Sequence, residues 1–271
     1  MRVKDRWKPI YGEGVVPKTI MTVSASGYMT YWNAMTGKCI SSTKDVNGAD
    51  LYCIDYNRKG TEFAVGGNDH AVKVYDSNKQ QLITTLKTAG IEIGHANRVF
   101  SVHFADDPNM LISGGWDNAI FFWDIRLSHS LGNLFGPRIY GDSLAIDGNV
   151  LLTGSYNNAD VLQLWDIKER KLIETIPWEP LQSTKGENGY LYTVEYAKPS
   201  PLRKYFAAGG AGDKAVKIFR NEPGHELLTK IPFTKSITSI DFAYGKRLVA
   251  VVCNDGSLNA YSFEDPNVPP E

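Results

Sequence analysis

The glycine-rich segment AGGAGDKAVK is the part of this sequence that comes nearest to a phosphate-binding loop. It contains Gly209, Gly210, Gly212 and Lys214. A nucleotide-binding loop needs the spacing GxxxxGK[ST] between a strand and a helix, so that backbone N–H groups and the start of the helix face the phosphate. Here Lys214 follows Asp213 and opens a second β-rich run. We therefore interpret the segment as a glycine-lined hairpin turn and predict no nucleotide cofactor.

Residues suited to metal binding or nucleophilic catalysis are scattered without the spacing that their chemistry requires. The sequence has no HExxH motif and no cysteine and histidine at zinc-ligand spacing. It has no GxSxG elbow for a serine nucleophile, and no pair of carboxylates is placed for acid–base work. We predict no catalytic residue, no metal site, no cofactor and no small-molecule substrate. The histidines are His70, His95, His103, His129 and His225.

Charge and cysteine content limit the classes of partner and the location. Lys plus Arg number 29 and Asp plus Glu number 30, for a formal net charge of −1. No overall positive field therefore attracts nucleic acid or an anionic membrane. The three cysteines lie far apart, and an odd count is typical of reduced thiols in the cytosol. No window approaches the roughly 18 apolar residues of a membrane span. We expect a cytoplasmic protein without nucleic-acid binding or membrane insertion.

A repeated pattern must position these polar residues. Each copy has a β-rich run, a patch of small residues ending in Asn or Asp, a second β-rich run ending in an aromatic residue, and a turn. The clearest copy is LISGGWDNAIFFWDI, residues 111–125. The terminal aromatics are 43, 48, 42, 54 and 42 residues apart, close to the ~40–45 residues of a four-stranded blade. They are Trp32, Tyr75, Trp123, Trp165, Phe219 and Tyr261.

Alternating runs on both sides of each hairpin complete the repeat. LYCIDYN, RVFSVHFA and YLYTVEYA precede hairpins, and QLITTLK and KLIETIPW follow them. Alternation with period two is typical of half-buried strands, and Asn, Asp and Gly supply the tight turns. The sequence therefore predicts an all-β chain of six four-stranded units. We expect a single domain over residues 1–263 and a Pro-rich tail over 264–271, with units at about 1–45, 50–88, 94–136, 140–178, 189–231 and 235–263.

These residues resemble the WD-repeat family. Residues 94–95 are Gly-His, and Trp-Asp closes the third strand at 123–124 and again at 165–166. The resemblance covers essentially the whole chain and implies a β-propeller that binds proteins. Segment 94–126, followed by 136–147, also looks like uncharacterised WD-repeat proteins of ciliated protists.

The resemblance implies a hydrogen-bonded chain that ties strands together in each complete repeat. It joins the loop His, a Ser or Thr on the second strand, the turn Asp and the third-strand Trp. Other repeats keep parts of this set, such as Asp69 with Tyr75 or Thr153 with Trp165, and are expected to rely more on packing. The complete set is His95, Ser113, Asp117 and Trp123.

The resemblance also indicates where partners bind. In similar propellers the turn between the second and third strands lies on the face that contacts partners, and the residue before the turn Asp points toward the channel mouth. Trp116 is the first candidate, because turns favour Gly, Asn and Asp and because Trp is enriched in binding hot spots. Packing of Trp116 against a neighbouring unit is the alternative. The equivalent positions are Asn68, Gly212 and Asn254, roughly joined by Tyr156, and Arg98, Tyr140 and Tyr190 could line the same mouth.

Closure of the ring has three solutions that the sequence leaves open. The last unit ends at its third strand, and the prolines of the tail do not suit an interior strand. Residues near Met1 could supply the outer strand, the chain could be a shortened seven-bladed protein, or a strand of a partner could fill the gap.

Three functions follow from these observations. The first is a protein-interaction scaffold inside a larger assembly. The second is a structural component of cytoskeletal or ciliary microtubule assemblies. The third is a reader of peptides or modified tails that uses Trp116 and Tyr156 in an aromatic cage.

Overall fold

The fold was analysed in a computed structural model that describes residues 19–88, 93–178, 190–197 and 204–267. The regular secondary structure of these residues consists of β-strands. The described part of the chain contains no helix that is long and apolar enough to cross a bilayer. The chain divides into two compact units, Met1–Gly136 and Pro137–Glu271.

The first unit contains three antiparallel sheets, and within each sheet the strands are neighbours in sequence order. The first sheet has three strands in the described residues, and the second and third have four each. The strands are β1 (Thr19–Val23), β2 (Tyr28–Asn33) and β3 (Cys39–Lys44); β4 (Leu51–Tyr56), β5 (Glu62–Gly67), β6 (Val72–Asp76) and β7 (Leu82–Leu86); and β8 (Val99–Phe104), β9 (Met110–Gly115), β10 (Ala119–Asp124) and β11 (His129–Phe135).

The second unit repeats this arrangement with the fourth to sixth sheets. The fourth and fifth sheets have four strands, and the sixth has three in the described residues. The strands are β12 (Leu144–Asp147), β13 (Val150–Gly154), β14 (Leu162–Asp166) and β15 (Lys171–Thr175); β16 (Leu191–Tyr196), β17 (Tyr205–Gly210), β18 (Ala215–Arg220) and β19 (Leu227–Pro232); and β20 (Ile237–Phe242), β21 (Leu248–Cys253) and β22 (Leu258–Ser262).

The predicted count of four strands therefore holds for the four middle sheets. The segment near Met1 that could close a ring lies outside the described residues, as does the end of the tail beyond residue 267. The beginning of the tail packs against the second unit, because buried Asp265 accepts hydrogen bonds from Tyr205 and Arg220.

Apolar side chains pack between neighbouring sheets of each unit. In the first unit, Val74 and Leu86 of the second sheet meet Val99 and Leu111 of the third in one buried cluster. In the second unit, Phe206 packs with residues of the fourth sheet in one cluster, and other residues of its own sheet face the sixth sheet in another. The middle strands are buried on both faces, so their polar residues need partners inside the protein.

Candidate functional site

The four residues implied by the WD-repeat resemblance form one connected chain in the third sheet. The carboxylate of Asp117 accepts from Nδ1 of His95, with N–O distances of 2.9 and 3.1 Å. Nε2 of His95 lies 2.8 Å from Oγ of Ser113, and the indole N–H of Trp123 donates to the same Oγ at 2.8 Å. The Trp123 indole N–H can only donate, so Oγ of Ser113 is its acceptor. We infer that the Ser113 hydroxyl in turn donates its hydrogen bond to Nε2 of His95. The chain ties the loop before β8 to β9 and β10.

The surroundings of Asp117 keep its carboxyl ionised. Burial raises the pKa of Asp117, but the hydrogen bonds from His95 and from the backbone N–H groups of Ala96 and Ala119 outweigh it and lower the pKa below its usual value. His95 and Ser113 are buried, so this cluster stabilises the sheet and offers no surface to a ligand.

The first and fourth sheets keep a shorter version of this chain. The indole N–H of Trp32 donates to Oγ1 of Thr22 at 2.9 Å, and that of Trp165 donates to Oγ1 of Thr153 at 3.1 Å. The first pair joins β2 to β1, and the second joins β14 to β13.

The second sheet has a buried lysine in place of the hydrogen-bonded chain that the third sheet contains. Nζ of Lys73 lies 2.7 Å from the carboxylate of Asp45 and 2.6 Å from that of Asp69, and Lys73 is 1% exposed. The Tyr75 hydroxyl donates to Asp45 at 2.9 Å. Tyr75 therefore bonds Asp45 on the loop before β4, whereas Asp69, its expected companion, bonds Lys73.

The fifth sheet repeats the buried lysine. Nζ of Lys217 lies 2.8 Å from Asp213 and 3.8 Å from the centre of the Trp178 ring. Lys73 and Lys217 occupy the same place in the strands AVKVY and AVKIF, four residues after an Asp. This shared spacing is the sequence signal from which both buried lysines could have been predicted.

Ser101, His103 and Asp55 form an arrangement that sequence reasoning missed. Oγ of Ser101 lies 2.9 Å from Nε2 of His103, and Nδ1 of His103 lies 3.8 Å from Asp55. The order resembles a nucleophile, a base and an acid. All three residues are buried, with at most 2% of their surface exposed, so no substrate can reach the hydroxyl. Asp55 also accepts from the backbone N–H of Phe104, so the cluster joins the second sheet to the third.

A backbone hydrogen bond anchors the turn that follows the second strand of each sheet from the second to the sixth. The N–H of Trp116 donates to the carbonyl of Arg98, which immediately precedes β8, at 2.9 Å. The same bond joins Asn68 to Asp50, Tyr156 to Arg138, Ala211 to Tyr190, and Asn254 to Ser236. The structural equivalent of Trp116 in the fifth sheet is therefore Ala211 rather than Gly212.

Bulges in the first strands bring aromatic residues next to these anchored turns. The pairing of the first two strands skips one residue in four sheets, which leaves it outside the ladder. A bulge of this kind re-aims the skipped side chain. Each skipped residue lies two positions after the anchoring carbonyl, and these residues are Tyr52, Phe100, Tyr192 and Thr238.

The first unit presents an aromatic group that we call the Trp116 patch, made of Tyr52, Phe100 and Trp116. Tyr52 stacks on Phe100 with ring centres 5.0 Å apart, and Trp116 meets Phe100 edge-on at 6.2 Å. Phe100 is buried and Trp116 is half-buried. Trp116 thus both packs on a neighbour and keeps part of its ring exposed.

The second unit presents a larger group, the tyrosine patch, made of Tyr140, Tyr156, Tyr190 and Tyr192. Tyr156 stacks on Tyr190 with ring centres 4.3 Å apart and on Tyr192 at 5.7 Å. Tyr140 contacts Tyr156 at 5.6 Å and Tyr192 at 5.2 Å. Burial, followed by the nearby phenols of Tyr156 and Tyr140, raises the pKa of Tyr192 to about 12. The phenol of Tyr192 therefore stays neutral near pH 7.

The structure thus brings three predicted partner-binding residues together, Tyr140, Tyr156 and Tyr190, and adds Tyr192. Arg98 and Asn254 are exposed at their own turns, and half-buried Asn68 uses its side-chain oxygen to accept from the N–H of Asp50. Within the described residues, no group of three or more His, Cys, Asp or Glu side chains is placed to hold a metal ion.

Comparison with known proteins relates this geometry to a family. The family model described as "WD domain, G-beta repeat" matches residues 37–76 and 81–124. Mitochondrial division protein 1 of Saccharomyces cerevisiae is 27% identical over 74% of this chain and 31% of its own length. The anaphase-promoting complex subunit cdh1 of Dictyostelium discoideum is 31% identical over 54% of this chain and 19% of its own length. The chain thus spans less than a third of the length of either relative.

The solved structures agree on the fold. A chain in the crystal structure of the mitotic checkpoint complex superposes with a TM-score of 0.71, at 21% identity, over 91% of this chain and 72% of that chain. Together with the matched repeats and six antiparallel sheets, this superposition confirms the predicted β-propeller fold. The chain thus carries WD repeats at residues 37–76 and 81–124, and it has the fold of a WD-repeat β-propeller.

Proposed function

We propose that this protein is a non-catalytic interaction platform that binds protein partners through the anchored turns of its sheets. The observation that carries the proposal is the pair of aromatic patches at these turns. In both patches, first-strand bulges bring aromatic side chains beside turn residues whose backbones are hydrogen-bonded. Aromatic residues held in a fixed arrangement lose little conformational freedom on binding, and they are enriched in binding hot spots.

The relatives support the same proposal. Two of the similar proteins carry names or titles that place them in assemblies, the anaphase-promoting complex and the mitotic checkpoint complex. The polar clusters that could resemble catalytic sites, around Ser113 and Ser101, are buried and already serve to join strands and sheets. We therefore assign the partly exposed aromatic patches, rather than these buried clusters, to the binding of partners.

Site-specific photo-cross-linking tests the proposal. A photoreactive phenylalanine analogue replaces Tyr140 or Trp116 in the protein expressed in its own cells. The control position is Tyr244, an exposed tyrosine at the turn between β20 and β21. We expect discrete protein adducts at Tyr140 or Trp116 that are missing at Tyr244. Identical adduct patterns at all three positions would contradict the platform.

A cytoplasmic location is a separate proposal that rests on the three scattered cysteines. A cytoskeletal role is another, and it rests on the resemblance of residues 94–126 and 136–147 to WD-repeat proteins of ciliated protists. Co-sedimentation with purified microtubules tests the cytoskeletal role. If the protein stays in the supernatant at a saturating microtubule concentration, the cytoskeletal role is wrong. The proposed interaction platform does not depend on that result.

A further inference from the structure

The tyrosine patch has a shape that limits what it can bind. Tyr156 lies within 22° of parallel to Tyr190 and within 10° of parallel to Tyr192. The three rings thus form a stack rather than the walls of a box, and a cage for a methylated ammonium group needs such walls. The 4.3 Å between the centres of Tyr156 and Tyr190 leaves no slot between them for a proline ring.

Tyr140 supplies the most accessible ring of the patch. It is 37% exposed, and its plane is tilted by 54° and 56° against Tyr156 and Tyr192. Neither of these two rings stacks on it. A planar group can therefore lie on the exposed part of Tyr140 and reach the edge of the stack.

The charges around the patch favour a cation. Asp142 follows Tyr140 by two residues, is half-buried, and accepts from the N–H of Val194 through its carbonyl, which brings it beside the strand of Tyr192. Asp160 is exposed on the same turn as Tyr156. The segment from residue 138 to 160, which contains Tyr140 and Tyr156, carries three aspartates, at 142, 147 and 160, against one basic residue, Arg138.

We propose that the tyrosine patch binds an arginine side chain presented by an extended segment of a protein partner. A guanidinium group is planar, stacks on aromatic rings, and donates hydrogen bonds in directions that phenol and carboxylate oxygens can accept. A trimethylated lysine has no N–H to donate, and an unmodified lysine has no plane to stack. The inference rests on the proposed interaction function and names the chemistry that the patch recognises.

The test is a titration followed by NMR, with protein that carries carbon-13 in its tyrosine rings. The probe is the blocked peptide acetyl-Gly-Ser-Arg-Ser-Gly-amide, and matched peptides carry citrulline, lysine, trimethyl-lysine or proline in place of arginine. Citrulline has nearly the shape of arginine without its charge. We expect the arginine peptide to shift the Tyr140 and Tyr192 signals with a Kd in the millimolar range, and the citrulline peptide to bind at least about tenfold more weakly.

Three variants sharpen the test. Tyr140→Ala removes the stacking ring and is expected to weaken binding of the arginine peptide by about tenfold or more, whereas Tyr140→Phe keeps the ring and weakens it only a few-fold. Tyr244→Ala removes an exposed tyrosine elsewhere in the same unit and should leave binding unchanged. A citrulline, lysine, trimethyl-lysine or proline peptide that binds as tightly as the arginine peptide would overturn the inference, as would an arginine peptide that leaves the patch signals in place.

The outcomes separate this inference from the proposed function. A partner that cross-links at Tyr140 but binds equally well after all its arginines in the cross-linked segment are replaced would sink the arginine proposal and leave the platform intact. Failure to cross-link any protein contradicts the platform, while the peptide titration still decides the chemistry of the patch.

Discussion

Ser113 holds the third sheet together because two buried groups depend on one hydroxyl. The imidazole of His95 and the indole of Trp123 both bond its oxygen. Thr22 in the first sheet serves a single indole, that of Trp32, which is half-buried. The energetic cost of losing either hydroxyl depends on how many buried polar groups remain without a partner.

We therefore expect Ser113→Ala to lower the free energy of unfolding by about 2–4 kcal/mol and Thr22→Ala by about 1 kcal/mol. Water can reach Trp32 after the substitution, whereas His95 and Trp123 stay buried. Urea unfolding followed by tryptophan fluorescence measures both values. Equal losses of unfolding free energy in the two variants would show that a hydroxyl shared by two buried groups stabilises the protein no more than one that serves a single group.

Lys73 is the charged residue whose removal should cost most. Its ammonium group is surrounded by the carboxylates of Asp45 and Asp69 and is 1% exposed. Lys73→Met leaves the buried Asp45 without its cation, and we expect a loss of about 3–5 kcal/mol. Lys171→Met breaks an exposed pair with Glu169 and should change stability by less than about 1 kcal/mol.

A second substitution checks the cause of that loss. Asp45→Asn in the Lys73→Met background removes the uncompensated charge, so part of the stability should return. If the double variant is less stable than Lys73→Met alone, packing around the lysine stem rather than charge is responsible.

Glycines at the end of the second strand allow the close approach that anchors the turn in the second, third and fifth sheets. A Cβ at Gly210 would lie 1.8 Å from the carbonyl oxygen of Tyr190, and one at Gly67 would lie 2.1 Å from that of Asp50. The first-strand entry must therefore move away if either glycine gains a side chain. The anchoring bond from Ala211 to Tyr190 would break at the same time.

Gly210→Ala should destabilise the protein by about 3 kcal/mol and shift the ring signals of Tyr190 and Tyr156. Gly245→Ala is the matched control, because its Cβ would meet nothing within 4 Å and only its φ of +69° opposes a side chain. We expect it to cost about 1 kcal/mol without an effect on the tyrosine signals. Thermal unfolding and NMR spectra of the two variants give the comparison.

The alternation of apolar residues and the turn residues predicted the hairpins and the six repeats, because these signals are local. The contacts between sheets could not be predicted in the same way. Asp45 lies 28 residues before Lys73, on a connection whose sequence has no repeat partner. Tyr192 alternates like any half-buried strand residue, and nothing local indicates the bulge that places it with Tyr140 and Tyr156.

Carboxylates with lowered pKa values lie in both units, which links the stability of the whole chain to pH. Hydrogen bonds from Arg126 lower the pKa of Asp124 to about 2. Burial raises the pKa of Asp45, but bonds from Lys73, Ala49 and Tyr75 lower it overall. The pKa of Asp265 is lowered in the same way by Arg220, again against burial.

A carboxylate whose pKa is lower in the folded than in the unfolded protein binds fewer protons when folded. Its stabilising contribution is therefore complete above the unfolded pKa of about 3.9 and is lost as the pH falls through the folded value. We expect the urea midpoint to be flat from pH 8 to about pH 5 and to fall steeply toward about pH 2. Asp45→Asn and Asp117→Asn should each lower the midpoint at neutral pH and reduce the slope in acid, whereas Glu169→Gln, at an exposed site, should do neither. If the urea midpoint falls equally steeply with pH in all three variants, these carboxylates do not control acid unfolding. Repulsion among the positively charged side chains at low pH would then be the cause.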